Sequence, residues 1–221
     1  RNRNKSTVQR KRSDVEQVEI SKTGWNRNEN EGLAMKQSQI TEWCHEIMRS
    51  QVKQEGYYID ATMGNGNDTL FLCQLAKEKG HVLAFDIQEE ALSATRNLLR
   101  THGYEKQATL IRDGHEHMDA YADENFADAI CFNFGYLPGG DHQIATRLHT
   151  SIEAIEKGLR ILKSGGMMSL CIYSGGDTGF EEKEGILGYL KELPAKNYTV
   201  IVNEYYNRKN QPPMPVFVFK Q

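Results

Sequence analysis

From Gln39 onward, short runs of apolar, β-branched and aromatic residues alternate with segments of helical period, and that alternation leaves few architectures open. Ile40, Trp43, Cys44, Ile47 and Met48 recur at three- and four-residue steps, which predicts a first helix ended by Gly56. Strands are expected at 57–61, 81–86, 108–112, 128–134, 167–173, 199–205 and 216–220. Helices are expected at 69–79, 89–101, 143–162 and 181–193, with a shorter one at 115–121. Strand and helix in turn, with short connections, imply a mostly parallel sheet covered on both faces. The last two strands are joined by 207–215, too short for a crossover helix, so that pair should be an antiparallel hairpin. The expectation is an α/β, Rossmann-like fold with a seven-stranded sheet.

Residues 1–34 stand apart. They are rich in Arg, Lys, Asn and Glu, lack a sustained period, and read as a polar, disordered arm before a domain at 35–221. An RNA-binding tail is the alternative for this arm, which holds eight Lys/Arg against five Asp/Glu. The whole chain carries −3, so net charge alone advertises no nucleic-acid face. No apolar run approaches the roughly 20 residues that span a bilayer, and no secretion signal is evident, so a cytoplasmic protein without a membrane partner is expected. Cys44, Cys73, Cys131 and Cys171 are scattered without a C-x-x-C pair and read as buried, reduced thiols.

Four segments carry the chemistry. Asp60-Ala-Thr-Met-Gly64-Asn65-Gly66-Asn67-Asp68-Thr69 follows the first strand and opens a helix. Its glycines permit a sharp turn and close approach to a ligand, and Asn67 or Asp68 should cap the helix. Asp86 ends the second strand, 20 residues after Gly66, where an acid can accept hydrogen bonds from two ribose hydroxyls; Ile87 and Gln88 follow it. That acid suits NAD equally well. However, position 69 is Thr where the dinucleotide fingerprint has its third glycine, and Asp60 suits the ammonium of methionine better than a phosphate. S-adenosylmethionine is therefore the expected cofactor.

Asp113-Gly114-His115 follows the third strand; Asp113 can take an adenine amine or cap the next turn. His115 and His117 form an H-x-H pair without further ligands at a metal spacing, so no metal is expected. Asn133-Phe-Gly-Tyr136-Leu-Pro138-Gly139-Gly140-Asp141 follows the fourth strand and should face the cofactor, since ligands bind beyond the carboxyl ends of central strands. Asn133 can accept a hydrogen bond from an attacking amine, and Tyr136 can stack on a base, a contact worth about 1–3 kcal/mol. Arg208 and Lys209, between the last strands, are candidate phosphate contacts; a solvated hairpin tip explains them about as well.

Together the blocks DATMGNGNDT (60–69), FDIQ (85–88), NFGYLPGGD (133–141), YSGGDTGFEE (173–182) and NRKNQPP (207–213) resemble the small bacterial rRNA methylase family that includes the tRNA 5-aminomethyl-2-thiouridine methyltransferase. The likeness covers residues 36–221. The loop at 173–182 departs from it: Ser174-Gly175-Gly176 stands where many members have a Gly-His pair. The resemblance implies a class I methyltransferase fold and methylation of the aminomethyl nitrogen on a tRNA wobble uridine. It implies that Asp60, Gly64 and Gly66 hold the methionine end, Asp86 and Gln88 the ribose, and Asp113 and His115 the adenine. It implies further that Asn133, Tyr136 and Pro138 shape the transfer site; Gly139 is a further candidate substrate contact, and Asn133, Asp141 or water is expected to accept the amine's proton. The expected partner is tRNA at its anticodon stem-loop; assembly as a homodimer is left open. Competing readings are methylation of rRNA or of a small-molecule amine, a non-catalytic S-adenosylmethionine-binding protein and, more distantly, an NAD-dependent oxidoreductase.

Overall fold

Near-continuous burial along the central strands shows that both faces of the sheet are covered, as a parallel sheet requires. A computed structural model of the chain describes residues 40–135, 147–173, 179–208 and 212–221, all within one compact unit, Gln37–Gln221. The arm at 1–34 lies outside the described residues.

The chain runs α1 (Ile40–Gln51), β1 (Tyr57–Asp60), α2 (Asn67–Ala76), β2 (His81–Phe85), α3 (Glu89–His102), β3 (Ala108–Ile111), β4 (Ala127–Phe134), α4 (Leu148–Ile161), β5 (Leu162–Ile172), α5 (Gly179–Lys191), β6 (Tyr198–Val202) and β7 (Met214–Lys220). Short 3₁₀ turns occupy Glu105–Gln107 and His115–Ala120. The sheet order is β3-β2-β1-β4-β5-β7-β6. β1 to β5 are parallel, and β7 is antiparallel to both β5 and β6. The chain winds outward from β1 to β3, then restarts at β4 on the other side of β1. That reversal opens a crevice beyond the carboxyl ends of β1 and β4, where such sheets bind ligands.

Period-two alternation divides the core. Tyr58 of β1 points toward α1 and α2, packing with Met48, Phe71 and Leu72, whereas Ile59 points toward α4 and α5 with Ile155, Leu159 and Ile186. Most elements differ from expectation by one to three residues at their ends, α2 by running over Asn67–Ala76, α5 over Gly179–Lys191 and β7 over Met214–Lys220, and four differences have a visible cause or consequence. α1 stops at Gln51, and Glu55, with φ of 60°, makes the turn ahead of Gly56. β5 starts at Leu162 instead of 167 because residues 163–166 bulge out of register: Leu162 pairs with Ala127 and Met167 already with Ala129. β6 ends at Val202, short of 205. α4 begins at Leu148 after an extended Arg147, so helix does not reach back to 143 within the described residues. All four cysteines are buried and unbridged. Among the described residues no helix is long and apolar enough to cross a membrane.

Candidate functional site

A cavity of about 570 Å³ opens at this crevice, within the roughly 300–1,000 Å³ range of small-molecule and cofactor sites. Its wall is built in sequence order by the loop after β1 (Ala61–Asn65), the start of α2 (Asn67, Asp68), the end of β2 (Phe85–Gln88), the turn after β3 (Asp113–Glu116) and the end of β4 (Asn133, Gly135). Thus Gly64, Asn65, Asp68, Asp86, Ile87, Gln88, Asp113, Gly114, His115 and Asn133 line one cavity.

The glycine loop is held from below. The Met63 amide donates to the Phe85 carbonyl (2.8 Å), and Gly64, with φ of 51°, directs its N–H to Asp86 Oδ2 (3.0 Å). Asp86 Oδ1 accepts the Gln88 amide at 2.9 Å. One carboxylate therefore ties the first and second loops together and still lines the cavity. Beside it Ile87 is 55% exposed, an apolar side chain on the cavity wall.

Three expected contacts are corrected. Asp60 is fully buried and absent from the cavity wall; it accepts from the Thr69 hydroxyl (2.6 Å) and the Thr62 amide (3.2 Å). Thr69 is consumed by the same bond and is buried as well. Gly66 faces α3: a Cβ there would lie 2.7 Å from Thr95 Oγ1 and 3.0 Å from Thr95 Cα, so glycine is needed for packing as well as for its φ of 82°. These residues shape the loop from behind. The cap of α2 is also corrected: Gly66 is its N-cap, without a side-chain bond, and Asn67 and Asp68 lie inside the first turn.

Burial, with the charge of Asp68 second, pushes the Asp60 carboxyl up to about 7. The folded state therefore keeps a proton between about pH 4 and 7 that the unfolded chain has released, and stability falls as pH rises through that window. The effect is on the order of 4 kcal/mol at its limit. Asp60→Asn should remove it. Relative to wild type, its melting temperature is expected to gain roughly 5–10 °C as pH is raised from 5 to 8. Parallel melting curves for the two proteins would show that Asp60 does not titrate in this range.

Asp113 lines the cavity, but its oxygens are already engaged: Oδ1 by the Gly114 amide (2.8 Å) and His117 Nδ1 (2.7 Å), Oδ2 by the Tyr121 hydroxyl (2.9 Å). Gly114 is the N-cap residue of the following 3₁₀ turn, and Asp113 braces it. His115 and His117 diverge. His117 is exposed against Asp113, whereas His115 packs edge-on against Phe132 and Phe134. Burial lowers the His115 pKa and keeps the ring neutral. Its Nε2 is buried at the cavity wall with no partner among the described residues, a polar atom that a ligand group could satisfy. Among the described residues no cluster of His, Cys, Asp and Glu could hold a metal.

Asn133 takes its position from β4, and its backbone N–H donates to Thr62 Oγ1 at 2.7 Å. Its side-chain Nδ2 donates to Asp68 Oδ2 at 2.6 Å, and Asp68 Oδ1 meets His45 Nε2 at 2.6 Å. His45 was not anticipated. It lies one residue off the buried stripe Ile40, Cys44 and Met48, and only the packing of α1 on α2 reveals its partner. Thr41, Arg147, His149, Thr150 and Tyr173 also line the cavity and were missed as individual contacts. Arg208 is exposed on the β6–β7 connection, away from the cavity wall. Tyr136, Pro138, Gly139, Asp141 and Lys209 lie outside the described residues.

The comparisons with known proteins agree with this geometry. The family model described as "Putative rRNA methylase" matches residues 82–219. A tRNA (mnm(5)s(2)U34)-methyltransferase, chloroplastic, of Arabidopsis thaliana is 34% identical over 199 residues, covering 86% of this chain and 72% of that protein. A crystal structure with the same description as the family, from Clostridium thermocellum, is 43% identical with a TM-score of 0.80, covering 83% of this chain and 98% of that one. A Streptococcus mutans protein described as a methyltransferase was solved in complex with SAH. It is 37% identical with a TM-score of 0.74, covering 82% and 97% of the two chains. With its cavity at the switch point of a class I sheet and these relatives across most of its length, the chain belongs to the rRNA methylase family and is an S-adenosylmethionine-dependent methyltransferase.

Proposed function

We propose that this enzyme methylates the nitrogen of the 5-aminomethyl group on a tRNA wobble uridine. One observation carries the reading: Asn133 sits on the cavity wall with its amide NH₂ committed to Asp68, which leaves its carbonyl oxygen to accept an N–H from the acceptor. The Arabidopsis relative, named for this wobble position, supports the choice of acceptor.

The cavity residues fit S-adenosylmethionine. Asp86 keeps acceptor capacity for the ribose hydroxyls, and Ile87 offers an apolar face to the adenine. His115 Nε2 is a buried polar atom without a partner among the described residues, open to a group of the ligand. On this reading Gly64, Asn65 and Asp68 face the methionine end, Gln88 adjoins the ribose, and Asp113 with Gly114 closes the adenine end. When bound, S-adenosylmethionine supplies a methyl group already activated on a sulfonium.

The protein therefore supplies position and desolvation. An alkylamine is largely protonated at neutral pH, so the site must receive it as the free base with one lone pair unbonded. Asn133 accepts one N–H and aims that lone pair; Asp141 or water takes the proton released after transfer. Tyr136, Pro138 and Gly139 frame the uracil ring, and Arg208 and Lys209 meet phosphates. Arg147, at the start of α4, adds a cation on the cavity wall for the RNA backbone. In this reading 35–221 is the methyltransferase domain and the arm at 1–34 lies beyond it.

The test is incubation with labelled S-adenosylmethionine and tRNA lacking the final wobble methyl, followed by mass spectrometry of the nucleosides. A single added methyl at the wobble aminomethyl group is expected. The family description favours rRNA as a second reading, and label appearing in rRNA while tRNA stays unlabelled would replace the first with it.

A further inference from the structure

His45 belongs to none of the motifs that mark the cofactor site, yet it is the outer member of a bonded chain that ends on the cavity wall. Its ring stacks on Phe71 of α2, with centroids 3.9 Å apart and planes 7° from parallel, while the Arg49 guanidinium lies 5.2 Å from the Phe71 centroid. The stack fixes the imidazole plane, and Nε2 donates to Asp68 Oδ1 at 2.6 Å. Asp68 Oδ2 then receives Asn133 Nδ2 at 2.6 Å. The His45 and Asp68 side chains are only 18% and 13% exposed, so solvent competes weakly for these bonds. Asp68 and Asn133 line the main cavity and His45 does not.

We infer that His45 is a positioning residue for methyl transfer: through Asp68 it holds the Asn133 amide with its carbonyl oxygen toward the acceptor. The inference rests on the reading that Asn133 receives an acceptor amine. An amide has an accepting end and a donating end. The donating end, turned into the cavity, would hydrogen-bond the lone pair of the incoming amine and remove the nucleophile. A carboxylate accepts only, so Asp68 binds the NH₂ end of Asn133 and excludes that flipped state. Asp68 alone can rotate about its own side-chain bonds. The N–H of His45, clamped between Phe71 and the carboxylate, takes that freedom away.

Two variants separate the hydrogen bond from the packing. His45→Phe keeps an aromatic ring on Phe71 and loses the donor, whereas His45→Gln keeps a donor and loses the stack. Methylation of tRNA carrying the unmethylated aminomethyl group is followed at steady state, with the Kd for S-adenosylmethionine measured by calorimetry. His45→Phe is expected to lower kcat about 10- to 100-fold, as misplacement of a positioned group does. The cofactor Kd and the KM for tRNA should stay within about threefold, because the lost interaction acts in the transition state alone. His45→Gln should recover most of the rate. In an Asn133→Ala background, His45→Phe should cost less than about twofold more, since no amide remains to be oriented.

Wild-type turnover in His45→Phe, a His45→Gln no faster than His45→Phe, or multiplying losses in the double variant would each overturn the inference alone. A wild-type enzyme that moves no methyl to this tRNA would overturn the acceptor reading and the inference with it.

Discussion

Asn133→Ala is expected to bind S-adenosylmethionine as wild type does and to transfer its methyl about 100- to 1,000-fold more slowly, the range for losing a group that positions the nucleophile. The separation of binding from turnover is the informative part. The backbone N–H of Asn133, which meets Thr62 Oγ1, is untouched by the substitution, so the loop at Ala61–Asn65 keeps its support. The side chain that is lost touches Asp68 and the cavity, not the loop that carries Asp86. Among the described residues truncation leaves Asp68 with His45 as its side-chain partner, and a part-buried carboxylate that loses a donor costs about 1–3 kcal/mol of stability. A fall in melting temperature of a few degrees should therefore accompany the loss of rate, and calorimetric titration of the cofactor checks that the cavity survives. If turnover stays at the wild-type level with normal cofactor and tRNA binding, the acceptor does not use Asn133.

Asp86→Ala has the second large effect, and it falls on binding. Two roles are lost at once. On our reading Asp86 grips the ribose, and two hydrogen bonds from hydroxyls to a carboxylate are worth about 2–4 kcal/mol together. In the free protein the same carboxylate holds the Gly64 and Gln88 amides, so the first two loops lose their common brace. The expected outcome is a Kd for S-adenosylmethionine about 30- to 1,000-fold weaker. Asp86→Asn keeps one acceptor oxygen and should fall between wild type and Ala. Equal affinity in all three proteins would mean that the sugar lies elsewhere.

Much of this site was legible because motif position and strand order are linked. Asp86, Asp113 and Asn133 each sit at or just beyond the carboxyl end of a strand, and a parallel sheet brings those ends to one rim whatever the intervening sequence. Depth was not legible. Asp60 and Asp68 are two acids of one motif, but the turn buries the first behind Thr69 and presents the second, which depends on the left-handed φ angles at Gly64 and Gly66. His45 was invisible for another reason. A histidine beside the apolar stripe of α1 has no local signature, and its partners Asp68 and Phe71 stand on α2, 23 and 26 positions later. The end of β5 nearest α4 was misplaced because Lys163–Gly166 carries little apolar character and pairs only through a bulge.

The most direct measurement is a crystal structure of this chain with S-adenosylhomocysteine. The ribose hydroxyls are expected on Asp86, the adenine between Ile87 and the turn at Asp113–His115, and the sulfur nearest Asn133. A nucleoside bound with Asp86 turned away, or with its sulfur remote from Asn133, would contradict this placement.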